Sequence, residues 1–218
     1  MKRDIVTSAI GIVVLTLICG ILYPLVITGI SQVAFPGNAN GQQVRVNGKL
    51  VGSQLIGQNF ATQVYKNGKP MIKNGVPVTS PDPRYFQSRP SATVPPNNAA
   101  ASTFSNLGPN STATEQEISS NIQAYLALEK PYNPGLTAAK VPVDAANSSA
   151  SGLDPDISVM NADIQAHRVA AVRHLALATV MSLVSKYTGG RGLGFSGEPG
   201  VNVLELNLAL DRMTGARA

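Results

Sequence analysis

From Ile5 to Val44 the chain contains no Asp, Glu, Lys or Arg, and most of that stretch is continuously apolar. The hydrocarbon core of a bilayer is crossed by roughly 20 apolar residues at about 1.5 Å rise each. Residues 5–33 exceed that requirement, so the stretch predicts a transmembrane helix behind a short tail, residues 1–4. A cleaved signal peptide has an apolar region of only about 7–15 residues. A lipoprotein anchor calls for small residues before Cys19, where Leu17 and Ile18 stand. A buried core helix is shorter and shows a polar face. Lys2 and Arg3 precede the span, whereas residues 37–43 after it are uncharged. The excess of positive charge on the cytoplasmic side of membrane proteins then predicts a cytoplasmic N-terminus and an extracytoplasmic domain at 37–218.

Within the span, Pro24 removes a backbone donor, which neighbouring helices can compensate in a membrane. Thr7-x-x-x-Gly11 and Thr16-x-x-x-Gly20 are small-residue spacings that permit close helix approach. Gly11, Gly20, Tyr23, Pro24 and Gly29 are therefore the candidate positions for packing against partner helices. Cys19 lies mid-span as a small packing residue.

The remaining 182 residues can hold one sizeable core. Together with the span they predict an α+β chain: one N-terminal transmembrane helix, then a single mixed α/β extracytoplasmic domain. Val44 to Val51 places Asn47-Gly48 between two apolar-rich runs, a strong hairpin signal. Lys66-Asn67-Gly68 and Lys73-Asn74-Gly75 repeat a similar turn seven residues apart, which predicts a β-arm over 65–83. Residues 88–112 are rich in Ser, Pro, Asn and Ala and read as loop. Thr114-x-x-Glu117 has the capping-box pattern, so a helix is expected from Thr114 to just before Pro131. A longer helical stretch is expected over Val159–Tyr187, as one helix or as two meeting near Leu175, closed by Gly189-Gly190. In the tail, Leu204, Leu206, Leu208 and Leu210 alternate like a strand, yet Asn202-x-x-Glu205 resembles a helix start and favours a helix.

Composition narrows the function. Only 13% of residues are charged and 5% aromatic, with no Trp and no block of more than two basic residues. These values argue against a nucleic-acid platform. One cysteine excludes an intramolecular disulfide and a cysteine-based zinc site. Gly192-x-Gly194-x-x-Gly197 has the letters of a dinucleotide loop but follows a helix and precedes Pro199, so it reads as a glycine-rich turn. His167 and His174 are seven apart, too far for a helical zinc pair, and read as partly exposed helix residues. Asp154 and Asp156 read as capping at a helix entrance. Neither a nucleophile elbow nor a phosphate-cradling loop occurs. The residues describe a membrane-anchored accessory domain. A tethered exported enzyme or solute-binding domain acting alone is the rival.

Eight ordered runs carry a resemblance. They are Tyr23-Pro24-Leu25-Val26-x-Thr28-Gly29, Gly52-Ser53-x-Leu55-Ile56-Gly57-Gln58-x-Phe60, Tyr85-Phe86-x-x-Arg89-Pro90-Ser91-Ala92 and Ser105-Asn106-Leu107-Gly108-Pro109. Val141-Pro142-Val143-Asp144, Ala150-Ser151-Gly152-Leu153-Asp154-Pro155, Arg168-Val169-Ala170 and Gly197-Glu198-Pro199-x-Val201 through Asp211 follow. In this order they resemble the KdpC family, a component of the Kdp potassium-transporting P-type ATPase, over nearly the whole chain. Two departures stand out. Residues 65–83 look like an insertion, since the family passes more directly from Gln-Asn-Phe to Tyr-Phe-x-x-Arg-Pro-Ser-Ala, and Ala101-Ser102-Thr103-Phe104 replaces a glycine-richer approach.

The resemblance implies a non-catalytic subunit of a cell inner-membrane complex. Its companions would be a channel-like potassium-binding subunit, a P-type ATPase subunit and a very small helical subunit. It implies an outer domain over the potassium entrance and a catalytic-chaperone role that raises the pump subunit's affinity for ATP. No motif of this chain binds ATP by itself. The glutamine that the family proposes to touch nucleotide would correspond to Gln165, whereas the topology places Gln165 opposite cytoplasmic ATP, and with no phosphate loop nearby it reads as a surface helix residue.

Overall fold

The computed structural model describes residues 1–192 and 194–215. The apolar stretch forms one 33-residue helical rod, Lys2–Ala34, long enough to cross a membrane. It is built from α1 (Lys2–Leu17), a π-helical turn (Ile18–Leu22) and α2 (Tyr23–Ala34). The wide turn sits just before Pro24, whose ring opposes the carbonyl one turn earlier. Widening the helix there lets it continue rather than break. No residue of the rod is buried by the rest of the chain, so its apolar surface is left for lipid or for other helices.

A short helix, α3 (Pro36–Ala39), leads to the hairpin β1 (Gln43–Val46) and β2 (Lys49–Ser53). Asn47 and Gly48 take φ of 51° and 79°, the left-handed pair a two-residue turn requires. A bulge between Val44 and Arg45 bends the hairpin.

The next segment is a three-leaved arm. Its base pairs β3 (Ala61–Gln63) with β8 (Thr79–Pro81), and between them lie two miniature hairpins. These are β4 (Tyr65–Lys66) with β5 (Lys69–Pro70), and β6 (Ile72–Lys73) with β7 (Val76–Pro77), turned at Asn67-Gly68 and Asn74-Gly75. At the hub, the backbone N–H of Val64 donates to Val78 O, Met71 N–H to Val64 O, and Val78 N–H to Met71 O. Gln63 Nε2 lies 3.2, 3.0 and 3.2 Å from the Val64, Met71 and Val78 carbonyls. The sevenfold spacing of the Asn-Gly turns is thus the period of a closed ring, and the arm runs over residues 61–81.

Residues 82–110 are mostly irregular, and α4 (Thr112–Glu129) follows. Its cap is Ser111, whose hydroxyl accepts the Thr114 N–H at 3.1 Å. The expected cap, Thr114, lies inside the first turn and donates its hydroxyl to Gly108 O instead. A 3₁₀ turn (Ala138–Lys140) and α5 (Val143–Ala146) precede β9 (Asp156–Ser158). Then come α6 (Val159–Arg173), α7 (Leu177–Lys186), β10 (Thr188–Gly189), β11 (Gly200–Asn202) and α8 (Val203–Thr214).

The 159–187 stretch is two helices, broken at His174 with φ 56°. Gly189 does not close α7; it pairs with Gly200 in a three-stranded antiparallel sheet ordered β10-β11-β9. The tail is a helix, with Asn202 Oδ1 accepting the Glu205 N–H at 3.1 Å. Its alternating leucines mislead because α8 is buried on nearly every side, so Leu204, Leu206, Leu208 and Leu210 all lie inside. The core joins Phe86, Ile157, Ala162, Ala166, Val169, Val180, Val184, Val201, Leu206 and Leu210. Each large apolar side chain buried there contributes about 1.5–3 kcal/mol.

Candidate functional site

Three residues on one face of α6, Asn161, Gln165 and Arg168, point inward although all are polar, and each is buried. Burial without partners costs several kcal/mol per polar group, so their bonds must be accounted for. Gln165 is 1% exposed. Its Oε1 accepts the Gln87 N–H at 2.7 Å and Arg168 Nη2 at 3.0 Å. Its Nε2 donates to Gln87 O at 3.1 Å and to Asn161 Oδ1 at 2.9 Å. Tyr125 OH donates to the same Asn161 oxygen at 2.9 Å. Gln165 is therefore an interior clamp on the backbone of Gln87, not the surface residue its surroundings in sequence suggest.

From α8, Asn207 makes the matching clamp one residue earlier. Phe86 N–H donates to Asn207 Oδ1, and Asn207 Nδ2 donates to Phe86 O, both at 2.9 Å. Two side-chain amides on two helices thus imitate strand neighbours for the Tyr85-Phe86-Gln87 segment and seat Phe86 in the core.

Arg168 completes the network. Its Nε donates to Glu129 Oε1 at 2.9 Å, its Nη1 to Tyr85 O at 2.9 Å and to Pro83 O. Both members of this ion pair have fully buried side chains. Burial pushes the Glu129 carboxyl above its usual range, and the Arg168 guanidinium only partly offsets this. Its other oxygen, Oε2, has no hydrogen-bond partner among the described residues. A second ion pair, Arg173 Nη2 to Asp211 Oδ1 at 2.8 Å, sits beside Tyr85, whose ring lies 4.6 Å under the Arg173 guanidinium. Tyr85 OH donates to Asp211 Oδ2 at 3.1 Å.

A cavity of about 330 Å³ opens between residues 58–60, residues 87–91, α4 and α6. Glu129, Tyr125, Asn161 and Gln165 line it, as does Arg89, which pairs with Asp154 at 2.8 Å. Amides, hydroxyls and members of two charge pairs hold the walls, and among the described residues the lining has no histidine or cysteine. This arrangement positions backbone and packs helices; it does not poise a nucleophile beside a base.

The other candidate residues are not brought to it. Gly11, Gly20, Tyr23, Pro24 and Gly29 stay on the rod, where a Cβ on Gly11 or Gly29 would meet nothing and one on Gly20 only Thr16 of the same helix. His167 and His174 are exposed. Asp154 and Asp156 do not cap α6; Ser158 does, accepting the Asn161 N–H at 3.1 Å, while Asp154 Oδ1 accepts Asp156 N–H in a local turn. The glycine-rich segment is a tight turn in which Gly192 N–H donates to Ser196 O at 2.7 Å and Ser196 N–H returns to Gly192 O at 2.8 Å. Among the described residues no group of three His, Cys, Asp or Glu side chains is placed to hold a metal.

Sequence reasoning missed Glu129, Arg168 and Asn207. A signal was present: Asn161, Gln165 and Arg168 recur at helical spacing on the same flank as Ala162, Ala166 and Val169, where a core stripe should be apolar.

Comparison with known proteins completes the assignment. Residues 5–212 match the family described as K+-transporting ATPase, c chain. A "Potassium-transporting ATPase KdpC subunit" of Methylococcus capsulatus is 46% identical over 203 residues, covering 93% of this chain and 94% of the relative. One of Herminiimonas arsenicoxydans is 44% identical over 213 residues, 97% of this chain and 99% of the relative. One of Streptomyces coelicolor is 43% identical over 206 residues, 92% and 88% of the two chains. With an N-terminal apolar rod, a mixed α/β domain and a family match from the rod to the last helix, this chain belongs to the KdpC family of the K+-transporting ATPase.

Proposed function

We propose that this chain is a non-catalytic accessory subunit of a high-affinity, ATP-driven potassium uptake complex in the cell inner membrane. The observation that carries the proposal is the family match spanning both the rod and the domain. The rod supports a single-pass anchor, since it is 33 residues long, is apolar through its centre and has no residue buried by the rest of the chain. Lys2 and Arg3 support a cytoplasmic N-terminus, which places residues 37–218 outside. There the domain stabilises the assembly and caps the potassium entrance of the channel-like subunit without closing it. Net charge over 37–218 is +4, from 15 basic and 11 acidic residues, so the domain is a cap rather than an ion-concentrating funnel. Gly11, Gly20, Tyr23, Pro24 and Gly29 are the positions through which the rod packs on its companions.

ATP is handled by the pump subunit, whose affinity for it this chain raises as a catalytic chaperone. Gln165 serves that role indirectly. Its amide is fully engaged with Gln87, Asn161 and Arg168 and is 1% exposed, which favours shaping the domain over touching nucleotide.

The test is affinity purification of the tagged chain from its native membranes. Co-purification with two large multi-span proteins and a small helical one is the expected result. A chain recovered alone, as a monomer in mild detergent, contradicts the proposal and favours a tethered domain acting by itself.

A further inference from the structure

The charge of this chain is divided sharply along its length. All acidic residues but Asp4 lie between Asp82 and Asp211. Residues 35–81, the part that follows the rod directly, hold five basic side chains, Arg45, Lys49, Lys66, Lys69 and Lys73, and no acidic one. The whole positive excess of the domain is therefore in its first two elements, the β1–β2 hairpin and the three-leaved arm. All five side chains are exposed, and none meets a carboxylate among the described residues. Lys66 and Lys69 flank one Asn-Gly turn and Lys73 precedes the next, so the leaves present the charges outward. Between them stand Tyr65 and Ile72, each 63% exposed.

We propose that residues 35–81 form a docking face for the anionic phospholipid headgroups of the membrane in which the rod is anchored. Three observations on this segment converge. The rod ends at Ala34 and β1 begins at Gln43, so the first basic hairpin starts within about 30 Å of the rod's end even at full extension, and the arm follows it directly in the chain. Basic clusters next to a membrane span are attracted to anionic leaflets, each Lys or Arg near the surface strengthening association about five-fold. An aromatic and a branched apolar side chain interleaved with the lysines can sit at headgroup level while the amines reach phosphates. A protein partner would be expected to impose shape. The leaves end in two-residue turns with solvated lysines and carry no acid to fix a register, which suits a fluid array of phosphates better. The proposal holds for either face of the membrane, so it stands or falls separately from the topology and from the cap.

The full-length chain is reconstituted into nanodiscs of phosphatidylcholine, with or without phosphatidylglycerol. Each lysine's acetylation rate is then read by mass spectrometry. Lys49, Lys66, Lys69 and Lys73 should be labelled about five-fold more slowly in the anionic discs at ~0.1 M salt. The protection should vanish at ~1 M salt, where the screening length falls to about 3 Å. Lys130, Lys140 and Lys186, exposed elsewhere on the domain, should react alike in both discs. Equal rates for all lysines in the two bilayers overturn the proposal. Protection that appears in neutral discs once the other proteins of the complex are added overturns it in favour of a protein surface.

Discussion

Arg168→Met removes the guanidinium and keeps much of the side-chain bulk. In the folded domain it leaves the Glu129 carboxyl fully buried and, among the described residues, without a hydrogen-bond partner on either oxygen, so it must remain there as an unpaired charge or take up a proton. It also strips donors from the carbonyls of Tyr85 and Pro83 and from Gln165 Oε1. Breaking a buried ion pair by removing one member costs about 3–5 kcal/mol. Total domain stability is commonly about 5–15 kcal/mol, so the variant should be marginal. For a chain of this size each kcal/mol moves the melting temperature by about 2–4 °C, which predicts a drop of roughly 6–20 °C. With no Trp and six Tyr, tyrosine fluorescence follows the melt of the full chain in detergent without interference from the rod's stable helicity. The double variant Glu129→Met/Arg168→Met removes both charges and should melt well above the sum of the single losses, because the penalty is chiefly that of an uncompensated charge. A melting temperature for Arg168→Met within about 2 °C of the parent, or strictly additive losses in the cycle, refutes the reasoning.

Other outcomes follow from the same geometry. Gly152→Ala should destabilise by about 2 kcal/mol or more in a urea titration, because φ is +72° and the new Cβ would lie 2.6 Å from the Thr103 carbonyl oxygen. Gly48→Ala, with φ +79° but open space around it, should cost only about 1–2 kcal/mol. Gln63→Ala should speed hydrogen exchange at Val64, Met71 and Val78 and leave α6 and α8 unchanged, since among the described residues the Gln63 side-chain amide bridges just those three carbonyls. Unchanged exchange there would show that the backbone ring alone closes the arm. Asp82 is held below the usual carboxylate range, first by its hydrogen bonds to the Arg84 side chain. A lowered folded-state pKa contributes stability above the ordinary carboxylate value and loses it as pH falls through the folded value. Asp82→Asn should therefore be less stable than the parent near neutrality, and the gap should narrow below pH ~3.8.

Features legible in the sequence were those that need no distant partner. The rod follows from an uncharged apolar run, and the three Asn-Gly turns follow from the positive φ that such residues supply most cheaply. The α8 start at Asn202 is read from a cap and a first-turn Glu. Features that escaped depend on residues far apart in the chain. Arg168 and Glu129 are 39 positions apart, and Phe86 and Asn207 are 121 apart. Gln165 looked like a surface residue because a polar side chain with no partner in view is normally solvated. The true α4 cap was missed by three residues, because Ser111 and Thr114 both carry a capping oxygen and only the path of the Gly108 carbonyl decides between them. In each case local chemistry named the kind of group required, and tertiary contact chose which one.

On the proposed function, residues 37–218 act on the transport complex and the anchor alone does not suffice. The most direct test is potassium uptake at low external potassium by cells whose own KdpC-family protein is deleted. The full chain should restore uptake, whereas a version ending just after Ala34 should not, even when it is inserted at equal level. Equal uptake by the truncated and full-length chains would contradict the account.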